Sequence, residues 1–206
     1  MHKHNEARRI VLNGNYDGVL FVENDMVLPE NTLELLADPD IGADVVYGLY
    51  CNRHGRNNWL CFTQLRGLGG QTLTGNQELI DEFWGKPIVS QGVGLGCTLI
   101  YRHVLEKISF KCHPEHKVAD DWMFAQECIT RGFVQVHHLG VVCGHIAVPD
   151  NPRIIWPHPK ALGHHVTEFL DRQQLVPAVN GRAEVIVDSV STEAIYGKGN
   201  REEVHS

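Results

Sequence analysis

Gly18-Val-Leu-Phe-Val-Glu-Asn-Asp25 is an apolar run that stops abruptly at two carboxylates one residue apart. The side chains of Val19, Leu20, Phe21 and Val22 suit a strand buried on both faces of a parallel sheet, and Glu23, Asn24 and Asp25 then fall at its carboxyl end. In open α/β sheets ligands bind at that edge, so acidic groups placed there can hold a hard cation against an anionic substrate. Taken alone, Asp25 serves equally well as a cap for the turn or for the helix after Pro29. The remaining segments have to decide between the two roles.

Residues 4–13 place Ala7, Ile10 and Val11 at helical spacing among charges and close at Asn13-Gly14. Residues 31–37 read as a short helix stopped by Asp38-Pro39-Asp40, and residues 43–50 as a strand with 57–65 as its hairpin partner around a turn at 52–56. Gly67, Gly69, Gly70 and Gly75 mark a flexible loop before a short helix at 78–84. Residues 87–101 begin as a strand, cross Gly92, Gly94 and Gly96, and resume as a strand leading into a helix at 102–108. Their spacing is not that of a dinucleotide fingerprint. Alternating glycines strip side chains from one face of a strand, which either lets a ligand lie against the backbone or marks a bulge.

Asp120-Asp121-Trp122-Met123-Phe124 opens a helix that runs through Ala125, Cys128 and Ile129 to Arg131-Gly132. Two carboxylates at a helix start also suit the helix dipole, so capping competes with chemistry there. A strand at 133–139 follows, and the apolar segment 141–145 ends in His145 much as the first run ends at Asp25. Beyond Ile146, Pro149, Pro152, Pro157 and Pro159 make an irregular connector; 164–175 fits a helix, 183–190 a strand and 197–206 a polar tail. The expected division is therefore a core at 1–148 and an extension at 149–206.

Composition narrows the partners. With 206 residues, 43% hydrophobic and 21% charged, the chain can build one core. A net charge of -7, with 18 scattered Lys and Arg, argues against nucleic acid or an anionic membrane surface. No apolar stretch has the length of a membrane span and no signal-peptide core follows Met1, so a cytoplasmic protein is the expectation. The six cysteines form no CxxC pair and sit mostly in apolar runs, as reduced core residues do.

In their order along the chain, the strand ending in Glu23-Asn24-Asp25, the Gly-rich strand before Arg102-His-Val-Leu-Glu106, Asp120-Asp121-Trp122-Met123-Phe124 and Gly144-His145 resemble the metal-dependent glycosyltransferases of the GT-A fold, most of all the inverting family 2. The resemblance covers about residues 4–145. It implies an α/β fold, a partial GT-A (Rossmann-like) mixed sheet flanked by helices. Glu23-Asn24-Asp25 matches the family's DXD position, with Glu for the first Asp; Asp120-Asp121 matches its Glu-Asp motif, and His145 the histidine that completes the metal site. By resemblance Asp25, His145 and Glu23 bind Mn2+ or Mg2+, Asp121 is the base with Asp120 beside it, and Gly94, Gly96 and Trp122 line the sugars. The implied partners are a nucleotide-sugar donor and a glycan or other hydroxyl acceptor.

Such enzymes place further strand-helix units ahead of the DXD strand, and only one helix precedes Gly18 here. The expectation is a chain truncated at that end, with an apolar sheet edge that invites self-association. Two other readings stay open: a non-catalytic carbohydrate- or metal-binding domain on the same scaffold, and a mononuclear metal enzyme using His113, His116, Asp120 and His145.

Overall fold

Helical spacing at the start of the chain produces α1 (His2–Asn13), and the run after it β1 (Gly18–Val22); β2 (Met26–Val27) and α2 (Thr32–Leu36) follow. The chain continues through β3 (Val45–Leu49), β4 (Phe62–Arg66), β5 (Gly69–Thr72), α3 (Gln77–Phe83), β6 (Pro87–Ser90), β7 (Cys97–Tyr101), α4 (Arg102–Lys107), α5 (Asp120–Arg131), β8 (Gln135–Val142), β9 (Gly144–Ala147), β10 (Arg153–Pro157) and β11 (His165–Phe169). This computed structural model describes residues 1–53, 57–92, 94–115, 120–147, 152–170, 175–176 and 184–185.

The main sheet has the order β1-β7-β3-β8-β6, in which β3 and β8 run parallel and the other neighbours antiparallel. Every residue of β3 is buried, because it has a strand on each side and packing on each face. On one face Val45 and Tyr47 meet Val11 of α1, Val104 and Leu105 of α4, and Phe124 and Cys128 of α5. On the other, Val46 meets Leu36 of α2 together with Val136 and Val141. The chain is thus a mixed α/β fold with a mixed sheet flanked by helices. Full burial of side chains such as Ile100, Leu105 and Phe124 contributes about 1.5–3 kcal/mol each, so this layer is the main source of stability.

Arg102, at the start of α4, donates to the carbonyls of Val11 (2.8 Å), Leu12 (3.0 Å) and Gly14 (2.9 Å), which the end of α1 leaves without intrahelical partners. Arg8 of α1 returns the favour at the end of α4, with Nε 2.7 Å from the Leu105 carbonyl and 2.9 Å from that of Ile108. Asn5 exchanges two hydrogen bonds with the backbone of Phe110. Together these bonds fix α1 against the sheet.

A second sheet has the order β11-β10-β9-β2. β2 begins directly after Asp25, and its Met26 stands opposite His145 of β9. The two compact units are Met1–Glu168 and Phe169–Ser206; the latter contains the ladder of β12 (Leu175–Val176) and β13 (Glu184–Val185).

Several expectations need correction. β1 is not buried on both faces of a parallel sheet: it is an edge strand antiparallel to β7, its residues are half-buried, and Val22 is 45% exposed. The hairpin partner of β4 is β5, formed across the Gly67 turn, rather than the strand at 43–50. Among the described residues the expected hairpin is reduced to the Cys51–Trp59 bridge and two backbone bonds, Leu60 N–H to the Tyr50 carbonyl and Asn52 N–H to the Asn58 carbonyl. Within 149–170, β10 and β11 replace the irregular connector and the first part of the helix expected at 164–175. Val166, Thr167 and Phe169 favour an extended chain, and Ile154 and Ile155 are fully buried in β10. The first compact unit accordingly runs past residue 148 to Glu168. The tail at 197–206 and most of 183–190 lie outside the described residues. All six cysteines are free, and all but Cys112 are buried. Among the described residues no helix is long and apolar enough to cross a membrane.

Candidate active site

Asp25 and His145 lie 120 positions apart in sequence, and backbone bonds bring them together. Glu23 N–H bonds to the Gly96 carbonyl (3.0 Å) and Met26 N–H to that of Glu23 (3.2 Å), which closes the turn; the Ile146 N–H then bonds to the Asp25 carbonyl (2.8 Å). As a result one ligand atom from each of Glu23, Asp25 and His145 lies within 4.8 Å of the other two. Asn24 is exposed in the turn and takes no part in that group.

The histidine is poised as a ligand. Its Nδ1 is 2.7 Å from the Cys51 carbonyl, which can only accept, so Nδ1 carries a proton, and Nε2 lies 3.5 Å from Asp25 Oδ2. His145 is 6% exposed, yet among the described residues its Nε2 has no hydrogen-bond partner, and neither has the buried Asp25 Oδ1. Orphaned buried polar atoms are costly, and two of them on residues of one such group fit a divalent cation. Arg53 donates to Asp25 Oδ2 and supplies the positive charge there. Glu23 sits on the solvent rim; partial loss of hydration, weak for so exposed a group, and then the Asp25 carboxylate push its carboxyl above the usual range.

Asp121, at the start of α5, adds a small part to the upward push on Glu23 through its charge. The adjacent carboxylates of Asp120 and Asp121 differ sharply. Asp120 accepts from His4 Nδ1 at 2.7 Å, and that bond holds its carboxyl well below the usual carboxylate range. Burial pushes Asp121 up instead, helped by the charge of Asp120. Paired carboxylates driven apart in this way are how a fold separates a fixed anion from a proton-accepting group. Trp122 donates from Nε1 to the Gly67 carbonyl and packs edge-on to Phe62 (5.3 Å), so it anchors the β4–β5 hairpin beside the site.

Gly92, Gly94 and Gly96 lie between β6 and β7 and outside both strands, which corrects the expected Gly-rich strand. A Cβ at Gly94 would lie 2.1 Å from the Tyr50 hydroxyl and one at Gly96 2.7 Å from Tyr50 Cζ, so what lies against this backbone is Tyr50. Its hydroxyl accepts from the Gly96 N–H at 3.0 Å, and its ring meets that of His145 edge-on at 5.6 Å. Burial holds the phenol protonated. Gly94 also has φ +91, a conformation that L side chains rarely adopt. Gly94→Ala is expected to lower stability by about 3 kcal/mol or more, from backbone strain and overpacking together, as read by denaturant unfolding.

His4 and Arg53 have no marker in the sequence, because each acts through a contact distant along the chain. His113 does not join a metal group with Asp120 and His145 among the described residues, and His116 lies outside them.

No family model matches the chain, and no curated protein does. The crystal structure of A197 from STIV is similar over 77% of this chain and 71% of its own, with 19% identity and a TM-score of 0.51. Likeness at that identity extends to the fold: a mixed sheet flanked by helices.

Proposed function

We propose that the chain is a metal-dependent, inverting glycosyltransferase that moves a sugar from a nucleotide-sugar donor to an acceptor hydroxyl. The observation that carries this reading is Asp25 Oδ1 and His145 Nε2, unpartnered among the described residues, in one group with Glu23, together with a half-buried carboxyl, Asp121, whose proton affinity is raised. Asp25, His145 and Glu23 would hold Mn2+ or Mg2+, the nitrogen ligand favouring Mn2+ over Ca2+. A bound divalent cation supplies Lewis-acid neutralisation of the leaving diphosphate.

The chain's own groups do the rest. Asp121 takes the proton of the acceptor hydroxyl as its oxygen bonds to the anomeric carbon, while the bond from that carbon to the diphosphate breaks on the opposite face. Asp120, held by His4, stays anionic and keeps Asp121 basic enough for that transfer. Tyr50 backs the His145 ring, and Trp122 fixes the hairpin at the side.

The deciding experiment incubates the chain with uridine and guanosine diphosphate sugars, Mn2+ and simple sugar acceptors, and measures nucleoside diphosphate release. Mn2+-dependent release that a chelator stops is the expected result. Calorimetric binding of Mn2+ or sugar without release points instead to a non-catalytic binding domain, and no binding of either removes the proposal.

A further inference from the structure

Arg53 lies two residues beyond Cys51, between the two residues of the Cys51–Trp59 bridge, and its guanidinium bonds to Asp25 Oδ2, the same oxygen that lies 3.5 Å from His145 Nε2. Among the described residues the other oxygen of that carboxylate is buried and unpartnered, as is the histidine nitrogen. Resting on the metal-site reading above, we infer that Arg53 is an internal counter-cation of this centre, and that divalent cation binding is an exchange in which the guanidinium gives up Asp25.

The argument is one of charge. Without a neighbouring cation, Asp25 and Glu23 would face each other as two carboxylates in one group, an arrangement that repels itself. Arg53 relieves that repulsion and lets the turn between β1 and β2 keep its shape without metal. A divalent cation seated on Asp25 and His145 does the same work with twice the charge, and two cations on one carboxylate oxygen oppose each other. Both groups are partly buried, with side chains 35% and 19% exposed for Arg53 and Asp25, so the competition is only partly screened by solvent. Arg53 therefore sets a threshold for cation affinity and admits divalent ions above monovalent ones.

Mn2+ titrated into wild type, Arg53→Gln, Arg53→Lys and Lys160→Ala, each followed by calorimetry, tests this. Lys160 pairs with Asp81 and controls for the loss of one positive charge elsewhere. Arg53→Gln is expected to bind Mn2+ about fivefold more tightly, the equivalent of roughly 1 kcal/mol for a partly exposed pair, with Arg53→Lys between it and wild type and Lys160→Ala unchanged. In the wild-type chain, Mg2+ is expected to move the Arg53 Nε–H resonance, a readout that needs no variant to fold. Equal or weaker Mn2+ binding by Arg53→Gln, or an Arg53 resonance blind to saturating Mg2+, overturns the exchange and leaves the metal site standing. Absence of Mn2+ binding in all four proteins removes the metal reading along with it.

Discussion

Asp121→Asn is expected to cut sugar transfer by about 10²-fold or more while leaving donor binding nearly unchanged, because the lost interaction belongs to the transition state. The raised proton affinity of Asp121 gives the same experiment a second readout. A base must be ionised to accept a proton, so wild-type turnover should fall as pH drops through a value above the ordinary carboxylate range, and the variant's residual rate should lose that limb. Stability should move the other way. A carboxyl whose folded-state pKa lies above its unfolded value favours the fold at low pH, and that contribution is lost as pH rises through the folded value. Above that value wild type carries an ionised, half-buried Asp121 that Asp121→Asn relieves. The variant should be slower yet at least as stable in denaturant. A variant with near-normal turnover would return Asp120 and Asp121 to helix capping alone.

The second large effect is expected at Asp25. Asp25→Asn keeps the size of the side chain and removes its charge, so Mn2+ affinity should fall by about 10²-fold or more, beyond the roughly 10–100-fold that changes behind the ligands cost. His145→Ala should do likewise. Asp25→Asn also takes away the partner of Arg53, so unfolding should be compared without metal to separate structural from ligand effects. Retention of wild-type Mn2+ affinity by both variants would show that the group of Glu23, Asp25 and His145 holds no metal.

Much of this arrangement was legible in the sequence where local patterning decides structure. α1, α3, α5 and β7 follow from periodicity and capping, and the turn at Glu23 to Asp25 from the abrupt end of an apolar run. Pairing was less legible. β3 has β7 and β8 as neighbours, from segments far along the chain, and nothing in residues 43–65 distinguishes that choice from a local hairpin. The prolines at 152, 157 and 159 obscured β10, although Pro157 only closes the strand and Ile154-Ile155-Trp156 is a plausible strand by itself. In the site, the placement of Asp25 with His145 was readable because each stands beside an apolar run. His145 is nonetheless followed by buried Ile146 and Ala147, so it lies inside β9 and does not end its segment. The unequal fates of Asp120 and Asp121 were not readable, since they depend on His4 and on depth.

The pairing of Met26 with His145 also bears on how this chain can vary. Because the segments that carry Asp25 and His145 are joined in one ladder, their alignment depends on the number of residues between Val22 and Met26 and between Val142 and His145, and hardly on what most of those residues are. One residue added or lost in either stretch would turn His145 or Asp25 to the opposite side, whereas substitutions at Val22, Asn24 or Val142 would leave the geometry in place. The sequence can drift far in composition here, but its length across these two short stretches is locked.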